Sequence, residues 1–188
     1  MTDAITADTS RNDLLKIAAG GLLSGILTPL APLLVDKIGD ASGNFGTSLV
    51  ALPFAVLVFI VVHRCSANPV WAALVAAIVT MIAFVAAVNA AVFIDGQADG
   101  ASKLMRNILS GLSGGLVGSA VMAIGIALLP AGPRKAAAWW PMLMTGAVLG
   151  PLLALDNALG LDQTSVLYPV WQAAVALRLA LVLRTKPA

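Results

Sequence analysis

Residues Pro69 to Ile94 read PVWAALVAAIVTMIAFVAAVNAAVFI, a run without a single charged side chain in which Thr80, Asn89 and the Trp71 indole are the polar groups. About 20 apolar residues in a helix rising 1.5 Å each cross the roughly 30 Å of a bilayer's hydrocarbon. This stretch is long enough to do so and too apolar to face water, so it is read as a membrane span. Moving outward, five further apolar stretches follow the same pattern: Leu14 to Val35, Thr47 to Val62, Leu104 to Leu129, Ala138 to Leu155 and Ser165 to Leu183. The expected fold is an all-α integral membrane protein, a bundle of six transmembrane helices in one domain, 1–188.

Composition supports that class. Hydrophobic residues make up 60% and charged residues 11% of the chain, against about 25% charged in a soluble domain; mean hydropathy is +0.95. The spans and short connections consume nearly all of the 188 residues, which leaves no room for a soluble catalytic domain. A net charge of +2, dispersed along the chain, excludes the basic stripe of a nucleic-acid binder. Cys65 stands alone, so no intrachain disulfide or thiolate metal cluster is expected. Arg11 and Lys16 precede the first apolar run as in a signal peptide. That run is long for a signal core and five more follow, so it is read as a span.

Basic residues near span ends stay in the cytoplasm. Arg11, Lys16, Arg64, Arg134, Lys135, Arg178, Arg184 and Lys186 fall on one side of the six-span layout, and Lys37, Lys103 and Arg106 on the other. Both termini are therefore expected in the cytoplasm. The chain has no Glu, and beyond Asp3, Asp8 and Asp13 every Asp lies in an outer connection: Asp36, Asp40, Asp95, Asp99, Asp156 and Asp162. Trp71, Trp139 and Trp140 fall at the inner boundary, Tyr168 and Trp171 at the outer one, where amphipathic rings prefer to lie. Short loops and abundant Ala point to a bacterial inner membrane.

Packing is also legible. Gly21 and Gly25, Gly111 and Gly115, Gly114 and Gly118, and Gly146 and Gly150 are each four apart, which puts small residues on one helix face and lets backbones approach; Ala83, Ala87 and Ala91 repeat the spacing. Pro29, Pro32, Pro53, Pro141 and Pro151 are expected to bend or break their helices. Pro69-Val70-Trp71 recurs as Pro169-Val170-Trp171, and Gly20-Gly21-Leu22 as Gly114-Gly115-Leu116. Three-span halves have opposite orientations, so such a duplication would make two inverted three-helix halves.

The search for chemistry returns mostly negatives. Gly111-Leu112-Ser113-Gly114 resembles the GxSG motif that rhomboid intramembrane proteases carry on their fourth helix. That family supplies a His on its sixth helix as general base, where this chain has Gln172, and a serine nucleophile requires such a base. His63, the only histidine, falls at the opposite end of the layout. No catalytic residue, cofactor or metal site is assigned, and the loop aspartates are read as helix caps and turn residues. Arg178 is the one deep charge, placed to snorkel inward.

Two functions fit. The first is a small transporter or channel, as a homodimer or alone, for an uncharged or weakly polar solute, with Asn89, Ser113, Gln172 and Arg178 contributing polar groups to its path. The second is a non-catalytic membrane subunit or scaffold that binds another membrane protein through its Gly and Ala faces. A polar-lined cavity distinguishes the first; a solid bundle with an exposed small-residue face distinguishes the second.

Overall fold

The computed structural model describes residues 2–32, 43–161 and 164–184, all helix and connecting turns with no strand among them. The order is α1 (Thr2–Leu27) with a 3-10 turn at Thr28–Leu30, α2 (Gly43–Val50), α3 (Leu52–Cys65), α4 (Val70–Gln97), α5 (Lys103–Ala127), α6 (Ala136–Leu149), α7 (Leu152–Leu159) and α8 (Leu167–Arg184). Five segments among the described residues are long and apolar enough to cross a membrane: Arg11–Leu30, Val70–Gln97, Lys103–Ala127, Ala136–Leu159 and Leu167–Arg184.

The segment expected to be the second of six spans is divided. Pro53 has no N–H to donate and sits in the first turn of α3, so the helix restarts there, after a turn at Ala51. The 14 residues of α3 reach only about 21 Å at 1.5 Å each, less than a hydrocarbon layer. Proline also marks the other breaks. Pro29 lies in the 3-10 turn that ends α1, and Pro151 separates α6 from α7, which continue one another across Gly150; Pro141 lies inside α6, beyond its first turn. The first helix begins at Thr2, a dozen residues before the apolar run. The end of that run at Val35, with Pro32's neighbours Asp36, Lys37 and Asp40, and also Asp162 and Lys186, falls outside the described residues.

The bundle has two chemically distinct ends. At the basic end, Arg184 of α8 pairs with Asp13 of α1 at 3.4 Å. Buried Asn68, in the turn between α3 and α4, accepts from the Ala131 N–H at 2.9 Å and so ties that turn to the α5–α6 connection. At the acidic end, Arg106 donates to both oxygens of Asp95 at 3.1 and 2.6 Å, joining the end of α4 to the start of α5. Asp156 of α7 accepts from Ser165 Oγ at 2.5 Å and from the Val166 N–H at 2.8 Å. Its carboxylate thereby caps the free N–H groups at the start of α8. The chain reaches that cap because Gly160, at φ +62, closes α7 in the left-handed conformation that glycine adopts without strain.

The core fills the basic half. Val58 and Val62 of α3, Ala76 of α4, Met122 of α5, Met142 of α6 and Leu179 of α8 are essentially sealed from outside. The exterior carries Leu15, Val56, Ile78, Phe93, Ile124 and Val148, all exposed. So large an apolar exterior fits hydrocarbon rather than water. Of the expected belt of aromatic rings, Trp71 and Trp140 are exposed, whereas Trp139 turns inward and donates to the Pro133 carbonyl at 2.9 Å.

Every glycine pair singled out by spacing lies at a contact between two helices of this chain. Side chains built on Gly21 and Gly25 would strike the backbone of Ala173 and Pro169, so α1 lies directly on α8. Gly111 faces Gly150 and Gly115 faces Gly146, backbone to backbone, between α5 and α6. On the other face of α5, Gly114 and Gly118 meet Ala87 and Ala91 of α4.

Candidate functional site

Small residues let helices approach, but where three helices carry them at one level they also leave space. Between α4, α5 and α8, toward the acidic end, lies a cavity of about 260 Å3. Its narrow walls are Ala87 and Ala91 of α4, Gly111, Gly114 and Gly115 of α5, and Gly150 at the α6–α7 break. Aromatic rings frame the remainder: Phe54 meets Trp171 edge-on at 5.8 Å, and Phe84 lies against Tyr168 at 6.1 Å. The Trp171 indole is held by donating to the Gly146 carbonyl at 3.2 Å.

The polar groups on this cavity are few and of two kinds. Gln172 is buried and already engaged: its Oε1 accepts from Ser24 Oγ at 2.7 Å and its Nε2 donates to Thr28 Oγ1 at 2.8 Å. It bridges α1 and α8 through one donor and one acceptor of its amide. Ser110 is the opposite case. It lines the cavity, is 3% exposed, and its hydroxyl has no hydrogen-bond partner, alone in this among the buried side-chain N and O atoms of the described residues. A buried hydroxyl without a partner costs free energy, about 1–3 kcal/mol, unless something in the cavity satisfies it. Apart from Tyr168, the lining contains no ionisable side chain.

Comparisons of the chain with protein-family models, with curated proteins and with solved structures give no match. The reading of the site therefore rests on its own geometry.

Of the four polar residues proposed for a path, the structure brings one to the cavity. Gln172 lines it. Asn89 is exposed on the outside of α4, its amide donating to the Val85 carbonyl one turn back at 2.8 Å. Ser113 donates to the Ser110 carbonyl at 2.9 Å and lies 3.5 Å from the Ala90 carbonyl. Arg178 is exposed on α8, in a groove toward the basic end. The residue missed was Ser110. Its signal was present, a serine one residue before the Gly111 face, but nothing in sequence separates a hydroxyl bonded to its own helix from one left free.

The rhomboid-like motif gains no base. His63 is exposed near the end of α3, stacked on Phe59 at 6.1 Å, and Ser113 lies on the opposite half of the bundle. Asp13 pairs with Arg184, Asp95 and Asp99 lie around Arg106, and Asp156 caps α8. No group of three or more His, Cys, Asp or Glu side chains converges among the described residues.

Proposed function

We propose that this chain is a small membrane transporter for an uncharged or weakly polar solute, which it binds in the cavity at its acidic end. The observation that carries the reading is the free hydroxyl of Ser110 in an otherwise aromatic and aliphatic cavity. A site with few polar groups orients a ligand through them and excludes charge through the cost of burying it. At about 260 Å3 the space corresponds to roughly eight or nine waters' share of liquid volume, a small solute rather than a lipid or peptide.

The finer architecture belongs to the same proposal. The segment 43–65, formed by α2 and α3, completes a sixth crossing despite its proline break. Both termini lie in the cytoplasm, of a bacterial inner membrane, because basic side chains gather at the end where α1 starts and α8 stops. Two contacts support inverted halves: first helix on last, and third crossing on fourth, a pair that a two-fold axis between three-helix halves would exchange. The tripeptide matches do not add to this, because Gly21 meets α8 whereas its counterpart Gly115 meets α6. The scaffold alternative loses the feature that suggested it, since the glycine faces are occupied by this chain's own helices.

The test is accessibility. In a variant whose native Cys65 is replaced by Ser, a cysteine introduced by Ser110→Cys should react with a small membrane-impermeant thiosulfonate added on the acidic side and not on the basic side. A solute that binds should protect it. Failure to label from either side in folded protein would mean a sealed, dry cavity, and the transport reading would fall.

A further inference from the structure

A second concavity, of about 480 Å3, lies on the outside of the bundle toward the basic end. One wall comes from α1, with Arg11, Leu14, Leu15 and Ala18, and the other from α8, with Ala174, Leu177, Arg178 and Leu181; Thr145 of α6 also lines it, its hydroxyl donating to the Pro141 carbonyl of its own helix. These positions recur at intervals of three and four, so each set is one helix face. The two helices touch along different faces, at Gly21 against Ala173, Gly25 against Pro169 and Asp13 against Arg184. The groove is what remains between them, and the small side chains of Ala18 and Ala174 keep it open.

Its charge is what selects an occupant. The walls are aliphatic, Leu15 and Leu181 being 58% and 43% exposed. Near the basic end the groove carries two guanidinium groups, neither of which makes an ion pair or hydrogen bond among the described residues. Arg178 lies six residues before Arg184, about 9 Å deeper along the helix, where an unpaired charge in hydrocarbon is costly.

We propose that this groove seats an anionic phospholipid, with an acyl chain along the leucine walls and the phosphate between Arg11 and Arg178. Each part of the ligand answers one part of the groove. The chain covers apolar surface, and the phosphate takes the charge-assisted hydrogen bonds that arginine forms with phosphate oxygens. A zwitterionic headgroup of the same length presents an ammonium to two guanidinium groups and is disfavoured. A free anion would leave the leucines uncovered, so the bilayer is the source. The site lies at the opposite end from the Ser110 cavity, and it stands whether or not that cavity carries a solute.

Native mass spectrometry of the detergent-purified chain tests this, titrated separately with phosphatidylglycerol and phosphatidylcholine of matched acyl chains. Phosphatidylglycerol should bind on the order of tenfold more tightly, given the strength of basic side chains near anionic headgroups. Arg11→Gln with Arg178→Gln should abolish that preference. Arg178→Lys should retain most of it, which separates lost charge from a misfolded variant, and Lys135→Gln, at the same end but outside the groove, should leave it intact. Equal binding of the two lipids by the wild-type chain overturns the proposal. So does a loss in Lys135→Gln as large as in the double variant, or binding of glycerophosphoglycerol, which lacks acyl chains, as tightly as of the lipid.

Discussion

Gly115→Ala adds one methyl group, and its effect follows from what that methyl meets. A Cβ at Gly115 would lie 2.9 Å from the carbonyl carbon of Gly146, closer still to its oxygen, and 3.2 Å from the Cα of Gly150. Carbon atoms rest at about 3.5–4.0 Å, and every atom in the way is backbone, which cannot rotate aside as a side chain can. The helices α5 and α6 must separate by about 1 Å, and because Gly111 faces Gly150 one turn away, the whole seam opens. Overpacking of this kind costs about 1–3 kcal/mol. Against it stands the better helix propensity of alanine, worth about 0.5–1 kcal/mol. The steric term wins, and the net loss is about 1–2 kcal/mol. Gly96→Ala is the matched comparison, since a Cβ there meets nothing within 4 Å; it retains only the propensity gain and should be neutral or stabilising by about 0.5 kcal/mol. Reversible unfolding in mixed micelles, read by circular dichroism, measures both. If the two variants agree within about 0.5 kcal/mol, α5 and α6 are not in backbone contact and the account of the cavity walls is wrong.

Ser110→Ala removes a hydroxyl that has no partner, so the empty protein should gain stability, up to about 1 kcal/mol, while solute flux in proteoliposomes falls; a loss of stability would show that the hydroxyl is satisfied. Gln172→Leu breaks the bridge to Ser24 and Thr28, but both hydroxyls keep carbonyl acceptors on their own helix, at Gly21 and Ser24. The cost should therefore stay near 1 kcal/mol, read in the same unfolding assay, and a loss several times larger would mean that the amide does more than join α1 to α8. Asp156→Ala uncaps α8 and should cost about 1–2 kcal/mol, with faster amide exchange at Val166 and Leu167; unchanged exchange there would refute the cap. Ala87→Leu should put a larger side chain into the cavity that Ala87 lines and abolish solute-dependent protection of a cysteine at position 110, and protection that persists would place the solute elsewhere.

Helix class and the position of most spans were legible because apolar length is a local property: the run at 69–94 required no partner to be recognised. Glycine spacing was nearly as informative, since a four-residue interval fixes a helix face, although not which neighbour that face meets. Two things were not legible. The break before α3 follows from Pro53, but the chain carries prolines at Pro32 and Pro141 as well, and sequence does not rank their effects. Trp139 reads as an interfacial ring like Trp140 beside it; a carbonyl at Pro133, set by the α5–α6 turn, turns one of the two inward. The same limit applied at the site. Asn89, Ser113, Gln172 and Arg178 are polar residues in or near apolar runs, yet their surroundings differ in ways that only helix packing decides.

The cavity and the tight seams have one cause. At the basic half, Val58, Met122, Val175 and Leu179, from three helices, are buried together in the core. At the acidic half the corresponding layer is supplied by Ala87, Ala91, Gly111, Gly114 and Gly115, which close the α4–α5 and α5–α6 contacts but send no side chain into the middle. Space remains on one side of the bundle and a plug on the other. On the proposed transport reading, a solute entering at the acidic end would stop at Trp171 and Gln172, above the plug. Passage requires the layer at Val58 and Leu179 to part, and the seam between α5 and α6 is the poorest place for it, because backbones in contact have no side chains to rearrange. The α3 side of its contacts with α4 and α8 carries Phe54, Leu57, Val58, Val61 and Val62, branched and aromatic side chains that can repack. Motion of α3, already separated from α2 at Ala51 and Pro53, is the step that the proposed transport cycle would use. A disulfide between cysteines placed at Val58 and Leu179 should then leave binding at Ser110 intact while abolishing solute flux in proteoliposomes; flux that survives the cross-link would exclude this route.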